Sequence, residues 1–472
     1  MKNLLLAIFV LSFINITAQE YRIKRGETTD SLPIPGDSDK TYSLYLPRDY
    51  SPEKQWATIF VFDPQGRGTN TANLFRMAAE EQQYIVASAN LDLKSQPIDS
   101  IIKSATSMVN GILQSLPVDP ELVYSAGMGE GAQVSSALAH IYKNMAGVMA
   151  IGNSFVNPAY IDKTSPYMFI GAAGKKDYMV YEIEKYLKFY DDLNFPTEVH
   201  YFDGKEDEWP EAIVVSNAMT GFTLQAIRDG LRPNDASFVQ QLFEKEMEYA
   251  ESLRRTRNYY AAYEKLERME EKYEGFGFED TIENKMKEIK TIRGFRSQRS
   301  DFRQAISFEK EQQREYEYLL ESDIRSVNFE NIGWWAYQID ELEKLKEGSD
   351  IAKSNMAHRL VGYLDFLTKR EYNTIMEVKV PIDVKIFISV LRTAINKNAP
   401  EAYLNIISLA AADGDQDTAL LYLEDLLKTG YSDMESLYNI EGALDLQFTP
   451  EYNRIVKKYL GESKFFKDQE IK

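Results

Sequence analysis

The sequence predicts two architectures in series. Residues 19–230 read as a three-layer α/β sandwich with a mainly parallel sheet, and residues 231–472 as an all-α helical-repeat domain. Three observations predict this. Short apolar runs alternate with helix-like segments as far as Gly230, a pattern that puts helices on both faces of a parallel sheet. Beyond "DGLRPNDAS" the strand-like runs stop, and long charged segments with apolar residues at helical spacing take over. Finally, "VYSAGMGEGAQ", Val123 to Gln133, reads as a strand turning sharply into a helix, with glycines at the corner.

Composition bounds the function before any motif does. A chain of 472 residues exceeds what one hydrophobic core usually serves. With 44% hydrophobic and 27% charged residues it is a folding sequence rather than a disordered one. The 73 acidic and 54 basic residues leave a net charge of −19, which repels nucleic acid and anionic membrane surfaces. The absence of cysteine excludes disulfides, thiolate zinc sites and lipid attachment through a thiol. No cofactor or metal is expected.

The elements follow in order. Lys2, the apolar run Leu4 to Ile14 and small residues ending at Ala18 predict a cleavable secretory signal over residues 1–18. The run is too short for a permanent anchor. The mature chain is therefore expected to be exported, periplasmic or secreted in a bacterium, without membrane insertion after cleavage. Strand-like runs follow in "TYSLYLPRDY", "WATIFVFDP", "YIVASAN", "LVYSAGM", "AGVMAIGN", "YMFIGAAG" and "TEVHYFDG". Between them lie the helical patterns of "TANLFRMAAEEQ", "PIDSIIKSATSMVNGILQSL", the segment after Glu130 and "YMVYEIEKYLKFYDDL", and a helix from Glu211 to Arg228 closes the domain. In the second domain, Val239, Phe243, Met247, Ala250 and Arg254 share one helix face, with Asp235 as N-cap. Ala262, Leu266, Met269 and Tyr273 repeat the pattern, so the two helices are expected to pair antiparallel. A second pair spans "PEAYLNIISLAAADGDQDTALLYLEDLLKTGYSD", with Gly414 and Asp415 at its turn. Its Tyr403, Ala410, Ala419, Leu423 and Leu426 resemble the packing positions of tetratricopeptide repeats, which implies a surface for a protein or peptide partner. Residues 293–397 are helical by pattern, without assignable repeats.

The first domain resembles the α/β-hydrolases of the small secreted esterase type. Three stretches carry the resemblance: "YSLYLPRDYSPEKQWATIFVFDPQGRG" at the opening, "GMGEG" at the turn and "GAAGKKDYMV" after a late strand. In that family G-x-S-x-G places a nucleophilic serine on a strained strand-to-helix turn. Here Gly127, Met128, Gly129, Glu130 and Gly131 fill the five places, so Gly129 stands where serine is expected. The resemblance places the general base in "HYFDGKEDEWP", where Asp207 occupies the histidine position, and makes Asp177 the surviving triad acid. Gln65-Gly66 replaces the common His-Gly of the oxyanion loop, and backbone N–H groups around Gln65, Gly66, Met128 and Glu130 are its remnant. The histidines of the chain are His140, His200 and His358. His140 lies eleven residues along the helix from Gly129, roughly 16 Å at about 1.5 Å per residue. Nucleophile and base need contact at about 3 Å.

Competing readings of these residues remain at this level. An active ester or peptide hydrolase with a displaced site would use Ser125 or Ser154. The carboxylates Asp177, Glu206, Asp207 and Glu208 form either a solvated acidic rim or oxygen ligands for calcium in a carbohydrate-binding site. Trp334 and Trp335 are either core or an aromatic peptide groove. His140 and His200 read as packing residues, and the charged helix faces as solvent faces. The leading expectation is a catalytically inactive, esterase-like exported protein that binds a ligand or a protein partner.

Overall fold

The computed structural model describes residues 23–466. The expected signal segment, 1–18, lies outside the described residues. Eight strands form one sheet: β1 (Thr28–Ile34), β2 (Asp37–Tyr45), β3 (Trp56–Phe62), β4 (Tyr84–Asn90), β5 (Val118–Met128), β6 (Met145–Ile151), β7 (Met168–Gly174) and β8 (Thr197–Phe202). Their order is β1-β2-β4-β3-β5-β6-β7-β8. The β1–β2 and β2–β4 pairs are antiparallel, and β3 to β8 run parallel. The helices between strands are α1 (Gly68–Gln82), α2 (Ile98–Ser115), α3 (Glu130–Ile141), α4 (Val180–Asp191) and α5 (Ala212–Arg228).

The pleat divides the core in two. On β3, Phe60 and Phe62 join Ile101, Met108, Val109, Val134 and Leu138 on the face covered by α2 and α3. Ile59 and Val61 join Phe75, Ala78, Met219 and Phe222 on the opposite face, under α1 and α5. All seven residues of β3 are buried, because a central parallel strand is covered on both sides. This is the three-layer, hydrolase-like sandwich expected. Strand β1 was not expected: Pro33 within it and Pro35 beyond it mask the pattern, and both are tolerated because β1 is an edge strand.

Helices fill the rest: α6 (Ala236–Arg255), α7 (Tyr259–Lys272), α8 (Glu279–Thr291), α9 (Arg293–Ser326), α10 (Ile332–Lys346), α11 (Ile351–Glu377), α12 (Ile382–Ile395), α13 (Pro400–Asp413), α14 (Gln416–Lys428), α15 (Met434–Leu437), α16 (Leu444–Gln447) and α17 (Pro450–Leu460). Asp235 caps α6 by accepting from the Ser237 and Phe238 N–H groups. Gly414, at φ +81°, ends α13, and Asp415 caps α14 by accepting from Thr418 N–H.

Two compact units emerge, and they do not follow the compositional break at 230/231. The first runs to Gly174 and includes Met179–Thr256 and Ala261–Met286; the second comprises Lys175–Tyr178, Arg257–Tyr260 and the chain from Lys287 onward. The pair α6 and α7 thus groups with the sheet. The reason lies in charged residues that sequence patterning assigned to solvent, described below. Long helices dominate the second unit, whose core holds Trp335, Leu360, Leu364, Phe387 and Leu391. A further cluster around Leu423, Leu426 and Tyr452 packs α13, α14 and α17.

Candidate functional site

Strand β5 ends at Met128 and α3 starts at Glu130, so Gly129 alone makes the turn. Three glycines are needed for three different reasons. A Cβ on Gly127 would stand 2.2 Å from the Gly131 carbonyl carbon, and one on Gly131 would stand 2.0 Å from the Phe62 oxygen. Strand, helix and neighbouring strand meet there with no room for a methyl group. Gly129 has open space around it, but its φ of 53° and ψ of −119° are angles that side-chain-bearing residues rarely adopt. Its N–H donates to the Ile151 carbonyl at 3.0 Å and its carbonyl accepts from Ala132 at 3.1 Å.

The structure brings Asp207 to this elbow. An added Cβ on Gly129 would lie 3.5 Å from Asp207 Oδ1. The loop after β8 therefore delivers a residue to the position that the family resemblance gives to histidine, and that residue is a carboxylate. Its other oxygen, Oδ2, is 2.8 Å from Lys94 Nζ, an ion pair whose side chains are 44% and 43% exposed. The hydrogen bond to Asp207 raises the Lys94 pKa above its ordinary value. The group above Gly129 is thus an ion-paired carboxylate and ammonium, with no imidazole between them and the elbow.

The loop after β3, expected to be an oxyanion-loop remnant, is bonded within the protein itself. Asp63, just past β3 and 1% exposed, accepts from the Gln65 N–H at 2.9 Å and the Arg67 N–H at 3.2 Å. Arg67 Nε and Nη2 reach its two oxygens at 3.0 and 2.7 Å, and Trp209 Nε1 reaches Oδ2 at 2.7 Å. Burial pushes the Asp63 carboxyl up, but these donors outweigh it and hold its pKa below the ordinary value. The Gly66 N–H goes to the Asp63 carbonyl at 3.1 Å. Met128 is buried and paired in register with Ile151, and Glu130 opens α3 partly exposed.

Asp177 is buried in the segment after β7 that groups with the second unit, where Arg359 donates to the Lys175 carbonyl and Tyr178 stacks on Phe366 at 5.3 Å. Glu206 and Glu208 are exposed, Glu208 accepting from the Lys205 N–H. Among the described residues no group of three or more His, Asp or Glu side chains forms a metal centre. Ser125 is fully buried and donates to the Ser135 carbonyl at 3.0 Å. Ser154, 4% exposed, hydrogen-bonds Ser136 Oγ at 2.9 Å. His140 packs edge-on against Phe155, and burial lowers its pKa. His358 lies on α11 in the second unit. Trp335 is fully buried, with its indole N–H donated to Asp323 at 2.8 Å, so it belongs to the core; Trp334 is half-buried beside it. The alternative of an aromatic groove is therefore not open at Trp335.

Sequence reasoning missed a second ionic group altogether. Lys272 Nζ lies 2.5 Å from Glu198 Oε1 and 3.0 Å from Glu246 Oε1, and donates to the Asn217 carbonyl at 2.7 Å. Glu246 also accepts from Lys265 and from the Tyr273 hydroxyl, and Glu198 Oε1 lies 2.5 Å from His200 Nε2. Every one of these side chains is less than a tenth exposed. Burial pushes Glu198 up, but Lys272 and His200 overcome this and hold it at about 2. Burial pushes His200 down to about 4, against the pull of Glu198, and Lys265 down to about 8. The expectation that α6 and α7 turn their charges to solvent is corrected here. Glu246 falls three residues after Phe243 and four before Ala250, on the apolar face, and that register was the available signal.

No protein-family model matches the chain, and no curated protein matches it. Among solved structures it is similar to an S-formylglutathione hydrolase from Staphylococcus aureus, at 12% identity and a TM-score of 0.34, over 43% of this chain and 98% of that one. It is similar to an esterase from the archaeon Pyrobaculum calidifontis at 12% identity and a TM-score of 0.36, covering 43% and 87%. The esterase LipW from Mycobacterium marinum aligns at 14% identity and a TM-score of 0.34, covering 44% and 82%. The fold itself rests on the sheet order and on the elbow between β5 and α3: an α/β-hydrolase-like sandwich followed by a helical region.

Proposed function

We propose that this chain is a catalytically inactive, esterase-like protein that is exported and acts by binding, with its helical unit engaging a protein or peptide partner. The observation that carries this reading is the ion pair over the elbow. Gly129 offers no nucleophile, and the residue facing it is Asp207, bound to Lys94. General-base activation needs a hydroxyl to act on, which Gly129 lacks, and the residue in the base's place is a carboxylate already ion-paired to a lysine. Asp63 further takes the Gln65 N–H with its carboxylate and the Gly66 N–H with its carbonyl, two donors that the resemblance would offer an oxyanion. The alternative of a displaced serine site draws no support from Ser125 or Ser154, which are buried and hydrogen-bonded internally. Export rests on the Lys2 to Ala18 pattern. Partner binding rests on the tetratricopeptide-like pair α13 and α14, beside which Tyr403, Tyr422, Leu421, Lys397 and Lys428 line a groove of about 520 Å³.

The test is turnover of p-nitrophenyl esters from acetate to octanoate by the intact chain. Rates indistinguishable from buffer are expected. Turnover that disappears in Ser154→Ala would overturn the reading. Gly129→Ser alone is expected to remain silent, because an unactivated serine is a weak nucleophile. Gly129→Ser with Asp207→His is the informative reconstruction: slow hydrolysis there would identify the two losses as the cause of inactivity.

A further inference from the structure

The first three turns of α9 carry a feature that neither the sandwich nor the helical packing uses. Arg293, Arg296, Arg299 and Arg303 follow one another at steps of three, three and four. At 3.6 residues per turn those steps keep all four on one side of the helix. Phe295 and Ala305 are buried and Phe302 is half-buried on the other side, while Arg293, Arg296 and Arg303 are exposed and Arg299 partly so. Asp301, the acidic residue within this stretch, falls about half a turn away from the stripe and accepts from Ser297.

None of the four arginines has an ion pair or a side-chain hydrogen bond among the described residues. Elsewhere in the same unit Arg325 pairs with Glu321, Arg359 with Glu309, Arg370 with Glu371 and Arg392 with Asp365, and the arginines without an ion pair, such as Arg454, stand singly rather than in a stripe. In a chain of net charge −19, carboxylates are abundant, so four consecutive unmatched guanidinium groups stand out as an arrangement with no internal use. Their position adds a second, independent conflict. They begin at the first residue of α9, whose first turn holds no acidic residue and whose N-cap, Ile292, makes no side-chain cap. A helix N-terminus carries partial positive charge and favours anions. Here it is given cations instead, so the same spot lacks negative charge on two counts.

We propose that this stripe is the docking surface for an acidic segment of a protein partner. The inference rests on the partner-binding reading above. The extent of the stripe sets the size of the occupant. Ten helical steps take Arg293 to Arg303, about 15 Å, which an extended peptide covers with about five residues. Carboxylates suit guanidinium groups through paired N–H donors. A membrane surface or a nucleic acid fits less well. Both are extended polyanions that meet the whole protein, and the stripe is bounded: exposed Glu311, Glu315, Glu317 and Glu321 follow on the same helix. The net charge of −19 opposes a broad anionic surface, whereas screening over about 8 Å lets a short acidic segment respond to the local arginines.

The experiment uses the full chain and a fluorescein-labelled ten-residue peptide of alternating Glu and Asp, with a Gln/Asn peptide as control. The variant replaces all four arginines by glutamine, and circular dichroism verifies that it is folded. Anisotropy is expected to report binding of the acidic peptide only, weakened at least tenfold in the variant and at least fivefold between 50 and 200 mM salt. Equal binding by wild type and variant, no binding at all, or tighter binding to phosphatidylglycerol vesicles or to a twelve-nucleotide DNA strand would overturn the proposal. Ester turnover by the wild type would instead count against the inactive reading, so the two failures are distinguishable.

Discussion

The sheet-bearing unit contains two ionic groups built on opposite terms. At the elbow, Lys94 and Asp207 are both more than two-fifths exposed and make a single contact of 2.8 Å. Under α6 and α7, Glu198, His200, Glu246, Lys265 and Lys272 are almost wholly excluded from water and interlock through shared oxygens. The first group occupies the place where chemistry would occur and contributes little to holding the fold. The second lies away from any candidate site and fastens two helices to the sandwich. Location at the elbow is therefore no guide to energetic weight in this molecule; desolvation is.

The largest effect that would break this comparison is Lys272→Met. It leaves two buried carboxylates facing each other without their shared cation, and a cost of about 3–5 kcal/mol is expected in urea denaturation. A cost below about 1 kcal/mol would mean that the buried group is as weak as the exposed one. Acid should reveal the same group. His200 binds its proton at about 4 in the folded chain against an ordinary 6.5, so the unfolded chain binds more protons between those values and stability falls as pH drops through that window. Glu198, held at about 2 against an ordinary 4.5, extends the loss further into acid. His200→Gln should flatten the melting temperature between pH 6.5 and 4.5, while leaving a fall below 4.5.

Smaller effects belong to the elbow. Gly129→Ser places a side chain at a φ of 53° with room for its Cβ, so the cost is backbone strain, about 1–3 kcal/mol, with a folded product. An aggregated product would show that the space is not available. Lys94→Met removes an exposed pair and should cost about 0–1 kcal/mol. A loss comparable to that of Lys272→Met would erase the distinction between the two groups.

What the sequence disclosed follows the same division. Strand and helix alternation, the glycine elbow and the Asp207 position were legible because each depends on local spacing or on residue types that a turn demands. Lys94 was not, since a lysine in a polar loop looks like any surface lysine until the fold sets it against a residue 113 positions away. The buried group escaped for a different reason. Periodicity reads Glu246, Lys265 and Lys272 as solvent-facing by type, and only three-dimensional pairing makes their burial tolerable. The boundary between units was hidden with them, because these charges are what attach α6 and α7 to the sheet side.

Asp63 has a consequence that reaches beyond the elbow. Its carboxylate holds the backbone and side chain of Arg67, the Gln65 N–H and the Trp209 indole at once. The loop is in effect self-liganded: it keeps its shape with a resident anion instead of waiting for a transient one. A phosphonate or boronate that captures ordinary hydrolases by filling this spot would have to evict a buried, fully bonded acid. Such reagents should leave this protein unlabelled even in Gly129→Ser.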